Sequence, residues 1–120
     1  MADSIVQNKA KGFAVRIINL YKYLYSVKKE TVLAKQVLRS GTSIGANLAE
    51  AEFAQSHNDY INKNSVSLKE ASETKYWIEL LIATGYIEKE QGDSLLFDCG
   101  ELIKMLAAAI KTMKTKSKRQ

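Results

Sequence analysis

His57 and Cys99 are the chain's single histidine and single cysteine, and they set a low ceiling on catalysis. A structural zinc site takes about four Cys, His or carboxylate ligands, more than this widely separated pair supplies. A Cys–His dyad would need Cys99, on an apolar helical stripe, to reach His57, in a predicted turn. The stretch "GTSIG" at 41–45 lacks the lysine and the preceding strand of a phosphate-binding loop. Eleven acids in residues 50–101 could furnish a carboxylate pair for hydrolysis, but charge on a helix is ordinarily a solvated face. The expectation is a non-enzyme, with no catalytic residue, cofactor or metal.

Basic residues are the better candidates. Residues 1–49 hold eight bases and two acids, a net of +6. Residues 50–101 hold four bases and eleven acids, a net of −7, and residues 102–120 hold six bases and no acid. Two basic ends around an acidic middle suit association with a polyanion or with another copy of the chain. Lys11, Lys22 and Lys29 would share a strip ~20° wide if the first helix reached that far. Lys9, Arg16 and Tyr23 mark its other outer edge, and Lys111, Lys114, Lys116, Lys118 and Arg119 add a basic end. Such ridges contact phosphates without reading bases, so binding would be sequence-tolerant and salt-dependent.

The elements that must carry these residues are helices. The chain has 120 residues, no proline and one cysteine, which favours an all-helical protein without an internal disulfide. No apolar run resembles a signal peptide or reaches the ~20 residues of a membrane span, so a soluble, cytoplasmic protein with no membrane partner is expected. Apolar residues recur at three- and four-residue spacing in four segments, predicting helices at about 4–27, 31–54, 57–84 and 89–115. Ser4 reads as a cap of the first, and Glu30 or Thr31 opens the second. Ser56 with Asp59 resembles a capping box. Gly85 stands where a helix end wants a left-handed residue. A basic tail, 114–120, is expected to fray. Short loops between long helices specify one domain, an antiparallel up-down-up-down four-helix bundle.

One segment of the second helix, "RSGTSIGANLAEAEF" at 39–53, keeps helical spacing yet contains two glycines, each costing ~1 kcal/mol relative to alanine. Gly41, Gly45 and Ala49 line one flank of the Ile44/Leu48 stripe, where a neighbouring backbone can come close. Ser40, Ser43 and Asn47 line the other, within reach of Asn64, Ser67, Ser72 or Thr74 on the third helix. Arg39, Ala46, Glu50 and Phe53 cluster on the outer side, which predicts a second buried face against another subunit. Arg39 and Glu50 are read as structural ion pairs, with Glu70, Glu73 or Glu79 and with Lys75. Trp77, adjacent to Tyr76, is read as filling the core or an interface.

"LRSGTSIGANLAEA" together with "SLKEASETKYWIELL" resembles a bacterial four-helix-bundle family. It includes proteins encoded within intervening sequences of large-subunit ribosomal RNA genes and the accessory variability determinant of diversity-generating retroelements. Arg39, Ser40, Ser43, Ile44, Asn47 and Glu50 match its first motif, and Glu73, Tyr76, Trp77 and Leu80 its second. The resemblance implies a ring-like homopentamer of bundles with a basic surface. In retroelement members it implies binding to nucleic acid and to a reverse transcriptase. Two readings stay open: an oligomeric accessory protein that binds RNA or DNA, and a self-assembling scaffold with no nucleic-acid role.

Overall fold

The computed structural model describes residues 2–119, and the side chains of residues 5–116. Four helices follow one another: α1 (Ala2–Ser26), α2 (Val32–Ala51), α3 (His57–Ala83) and α4 (Lys89–Arg119). They pack as a bundle of 52 × 22 × 21 Å. Each helix lies on its neighbour in sequence, and α1 closes on α4.

The helix ends follow local chemistry. Ser56 accepts a hydrogen bond from the Asp59 amide at 3.0 Å, and the Asp59 carboxylate accepts from the Gln55 amide at 3.2 Å. The serine half of the expected box therefore forms, while the carboxylate reaches the amide of the residue before the cap instead of the cap's own. At the end of α3, Gly85 takes φ +80°. Its amide donates to Ile82 O at 3.1 Å and that of Tyr86 to Leu81 O at 3.0 Å, the paired bonds of a Schellman ending. At the start of α2 it is Glu30 that caps: its carboxylate accepts from the amides of Leu33 and Ala34, while the Thr31 side chain makes no capping bond.

Three boundaries differ from expectation. α2 stops at Ala51, because the amides of Phe53 and Ala54 turn back to Glu50 O and Ala51 O in tight three-residue steps. α1 ends at Ser26, and Lys29 stands in the left-handed region at φ 57°. α4 continues to Arg119 rather than stopping near 115; beyond Gly100 it holds no proline or glycine, and lysines near a helix C-terminus offset the macrodipole. α1 begins at Ala2, so Ser4 stands inside the helix instead of capping it; the side chains of Ser4, Lys118 and Arg119 lie outside the described residues.

Phe13, Ile17, Leu20 and Leu24 of α1, Val37, Ile44 and Leu48 of α2, Ile78 and Leu81 of α3, and Leu95, Leu102 and Leu106 of α4 form the core. Between α2 and α3 the core turns polar. Thr74 Oγ1 donates to Ser40 Oγ at 2.8 Å, and Ser67 Oγ to the Ile44 carbonyl at 2.8 Å. Among the described residues no buried side-chain nitrogen or oxygen is left without a partner, so this seam carries no desolvation penalty of the kind an orphan polar group brings.

Candidate nucleic-acid interface

The outward face of α1 is the centre of the candidate surface. Lys11 and Lys22 are exposed on it, and between them stand Val15 and Ile18, 53% and 37% exposed. An apolar pair is thus set inside the lysine strip, which residue types alone did not bring out. Lys29 does not continue the strip as a helical residue, since α1 has ended. Among the described residues Lys9, Lys11, Lys22 and Lys29 form no ion pair.

Arg16 is placed differently. Its Nη1 lies 2.7 Å from Asp98 Oδ2, and its Nη2 donates to Ser94 Oγ at 3.2 Å. With Lys9 it lines a shallow cleft of about 240 Å³ toward α4. This cation fastens α1 to α4 instead of facing outward alone.

On α4, Lys111, Lys114 and Lys116 are exposed. Lys111 and Lys114 flank a groove of about 470 Å³ between α3 and α4, with Leu68 on its far side. Lys11 instead borders a groove of about 430 Å³ between α1 and α2, floored by Ala14, Gly45, Ala46 and Ala49. The two groups of lysines therefore belong to different faces.

The small-residue flank of α2 meets α1. A Cβ at Gly41 would lie 2.7 Å from Ile17 Cγ2 and 3.2 Å from Ile17 Cβ, so only glycine fits undisturbed. At Gly45 it would lie 3.6 Å from the Ala10 Cβ, in ordinary contact. Of the polar flank, Ser40 bonds across to α3, but Ser43 donates to Arg39 O and Asn47 to Ser43 O within their own helix. Within the chain the outer side is open: Ala46 and Ala49 are exposed, and Phe53, beyond the helix end, is 84% exposed.

Arg39 finds two of its expected partners. Nη1 donates to Glu70 Oε2 at 3.0 Å and Nη2 to Glu73 Oε2. Glu73 also accepts from Trp77 Nε1 at 3.1 Å. The Trp77 bond first, and Arg39 next, hold the Glu73 carboxyl below the usual carboxylate range against an opposing push from burial. Trp77 is half-buried against the core, edge-on to Tyr76. Glu50 pairs with Lys63 at 3.2 Å rather than with Lys75. Lys63 and Lys75 stand more than three turns apart along α3, and which of them faces Glu50 is set by the α2–α3 register, a tertiary property.

The residues with catalytic potential stay apart. Cys99 is fully buried, donates to Ala71 O at 3.2 Å, and its thiol is pushed up to about 12 by burial. His57 opens α3 with Nε2 3.3 Å from Met113 O. Among the described residues no cluster of His, Cys, Asp or Glu could hold a metal ion, and no helix is long and apolar enough to cross a membrane.

The sequence profile of the 23S rRNA-intervening sequence proteins matches residues 2–108. The chain belongs to that family. Its fold is similar to a crystal structure of a protein of unknown function from the S23 ribosomal protein family of Bacteroides thetaiotaomicron. The two are 57% identical with a TM-score of 0.91, over 92% of this chain and 99% of that one. No curated protein matches the chain. No enzymatic family is indicated for this member of the intervening-sequence family.

Proposed function

We propose that the protein is a non-enzymatic, cytoplasmic, homo-oligomeric accessory protein that contacts RNA or DNA phosphates through its basic outer helix surfaces. The observation that carries this reading is the state of its cations. Lys9, Lys11 and Lys22 on α1 and Lys111, Lys114 and Lys116 on α4 are exposed and in no ion pair among the described residues. Free lysines on rigid helices release counterions when they meet phosphates, which gives sequence-tolerant, salt-sensitive binding.

The bundle runs up-down-up-down in this proposal. Gly45 beside Ala10 and Gly41 beside Ile17, then Ser67 on Ile44 and Thr74 on Ser40, support opposed neighbours. Copies assemble into a ring-like pentamer, which repeats the basic surface and raises affinity through avidity. Exposed Ala46 and Ala49 on the outer side of α2, and exposed Phe53 just past its end, support a contact between copies. The division of the chain into basic and acidic stretches favours a second reading, a scaffold whose subunits pair by charge and bind no nucleic acid.

A fluorescence titration with duplex DNA and structured RNA, at low and then physiological salt, separates the two. Binding that weakens steeply with salt is expected, and no complex at low salt leaves the scaffold. Light scattering checks assembly, and particles of single-chain mass would remove the oligomer from both.

A further inference from the structure

The exposed aromatic side chains of the molecule differ in their surroundings. Phe53 follows Glu50 and Glu52, and Phe97 lies among Asp93, Asp98 and Glu101, while Tyr76 has mixed neighbours, Glu73 and Glu79 on its two sides with Lys75 adjacent and Arg39 paired to Glu73. Tyr23 and Tyr25, at the end of α1, lie instead beside Lys22, Lys28 and Lys29, with Lys35 one helix on. The one acid between residues 21 and 36 is Glu30, and its carboxylate is engaged by the amides of Leu33 and Ala34. These tyrosines therefore sit where an anion is welcome.

The two flanks of this end differ. Tyr23 lies toward α4, lining a shallow cleft with Gln91 and Leu95, and Lys28 Nζ is 5.9 Å from its ring centre. Glu88 and Glu90, exposed at the start of α4, dilute the positive field on that side. Tyr25 is on the other flank, one turn beyond half-buried Tyr21, continuing the row of Ala14 and Ile18. The Tyr21 and Tyr25 rings are 5.5 Å apart and tilted by 41°. Tyr21 is packed against the core and braces its neighbour, while 43% of Tyr25 remains in solvent.

We infer that this end of α1 takes single-stranded or locally unpaired nucleic acid, with a base stacked on Tyr25 and phosphates on Lys22 and Lys29. The inference rests on the nucleic-acid reading above and gives it a substrate class. A duplex hides its base faces and offers a lysine ridge only phosphates; an exposed aromatic adds something only when a base is free to stack. Phosphate contacts alone would leave the tyrosine and the apolar Val15 and Ile18 beside the lysines unexplained. An acidic protein helix is the competing occupant of a basic, partly apolar surface, but it has no need of a braced ring.

The test compares a fluorescein-labelled oligopyrimidine strand with the same strand annealed to its complement, on the intact protein at low salt. Tighter binding of the strand is expected. Tyr25→Ala should weaken the strand about tenfold, leave the duplex unchanged and keep the helical circular dichroism. Tyr25→Phe, which keeps the ring, should restore strand binding. Equal affinity for strand and duplex, with Tyr25→Ala moving neither, would overturn the inference and leave the lysine reading standing. Absence of binding to both would sink that reading as well. An acidic amphipathic peptide that binds through Tyr25, when the strand does not, would reassign the surface to a protein partner.

Discussion

The seam between α2 and α3 and the outward face of α1 use the same residue types to opposite ends. In the seam every polar group is answered: Ser40 by Thr74, Ser67 by the Ile44 carbonyl, Arg39 by Glu70 and Glu73. Among the described residues the lysines of α1 form no ion pair, and apolar Val15 and Ile18 beside them are exposed. Both arginines with described side chains, Arg16 and Arg39, join helices, whereas the lysines of α1 do not. Guanidinium geometry suits fixed bidentate pairing, and a mobile ammonium suits a loosely read phosphate chain. Charge that holds the fold together and charge left for a partner are thus told apart by their neighbours.

Reversing the free charges gives the largest expected effect. Lys11→Glu with Lys22→Glu should abolish nucleic-acid binding at physiological salt while leaving the urea midpoint near its original value, because neither side chain is in an ion pair among the described residues. Retained affinity would shift the interface to the α3–α4 groove and its Lys111 and Lys114. A fallen midpoint would mean that the outer face also serves the fold, and the contrast between the regions would break.

The two glycines of α2 sharpen the contrast on the inner side. Gly41→Ala puts a methyl 2.7 Å from Ile17 Cγ2 and 3.2 Å from the stiffer Ile17 Cβ. Overpacking of this kind costs about 1–3 kcal/mol, more than the helix propensity it regains. Gly45→Ala meets Ala10 at 3.6 Å, so the propensity gain of up to ~1 kcal/mol should survive. Opposite shifts of the thermal midpoint are expected; shifts in one direction would contradict the packing argument. The bulkier Gly45→Leu would also enter the α1–α2 groove and should disturb packing or assembly. An intermediate effect is expected at the α1–α2 turn, where Lys29 holds φ 57°. Lys29→Gly removes a left-handed penalty of roughly 1 kcal/mol and should raise the urea midpoint, a positive charge being lost in the same step.

Much of this frame was readable from residue types because it is local. Period, the Ser56–Asp59 box and the left-handed Gly85 each depend on a few adjacent residues. Arg39 with Glu70 and Glu73 was legible for another reason: both acids face one way on α3, one turn apart. What escaped reading is set by contacts between distant segments. Arg16 reaches Asp98 only once α1 lies on α4, and Glu50 meets Lys63 only in the realised α2–α3 register. Phe53 was placed on a helix face by carrying the α2 wheel past Ala51, where the chain turns away. The left-handed Lys29 gave no signal, because lysine is not a residue that favours that conformation. Val15 and Ile18 were overlooked beside the lysines, although they share the same wheel position.

Glu73 gives the smallest expected effect and probes the seam by pH. Its carboxyl lies below the ordinary value of 4.5, chiefly through the Trp77 indole N–H and then through Arg39. As pH falls, the unfolded chain takes up its proton first, so the folded state loses ground. The stabilisation is complete above about 4.5 and disappears as pH drops through the lower folded value. Trp77→Phe removes the leading donor and keeps an aromatic ring, so some packing is lost at every pH. The diagnostic is the slope, not the level. Above the ordinary carboxylate range the urea midpoints of wild type and variant should run parallel, and below it they should converge, because wild type has the Trp77 share of the stabilisation to lose as well as the Arg39 share that both keep. Parallel curves throughout would show that Arg39 alone keeps the carboxyl charged, and that the indole serves only to fill space.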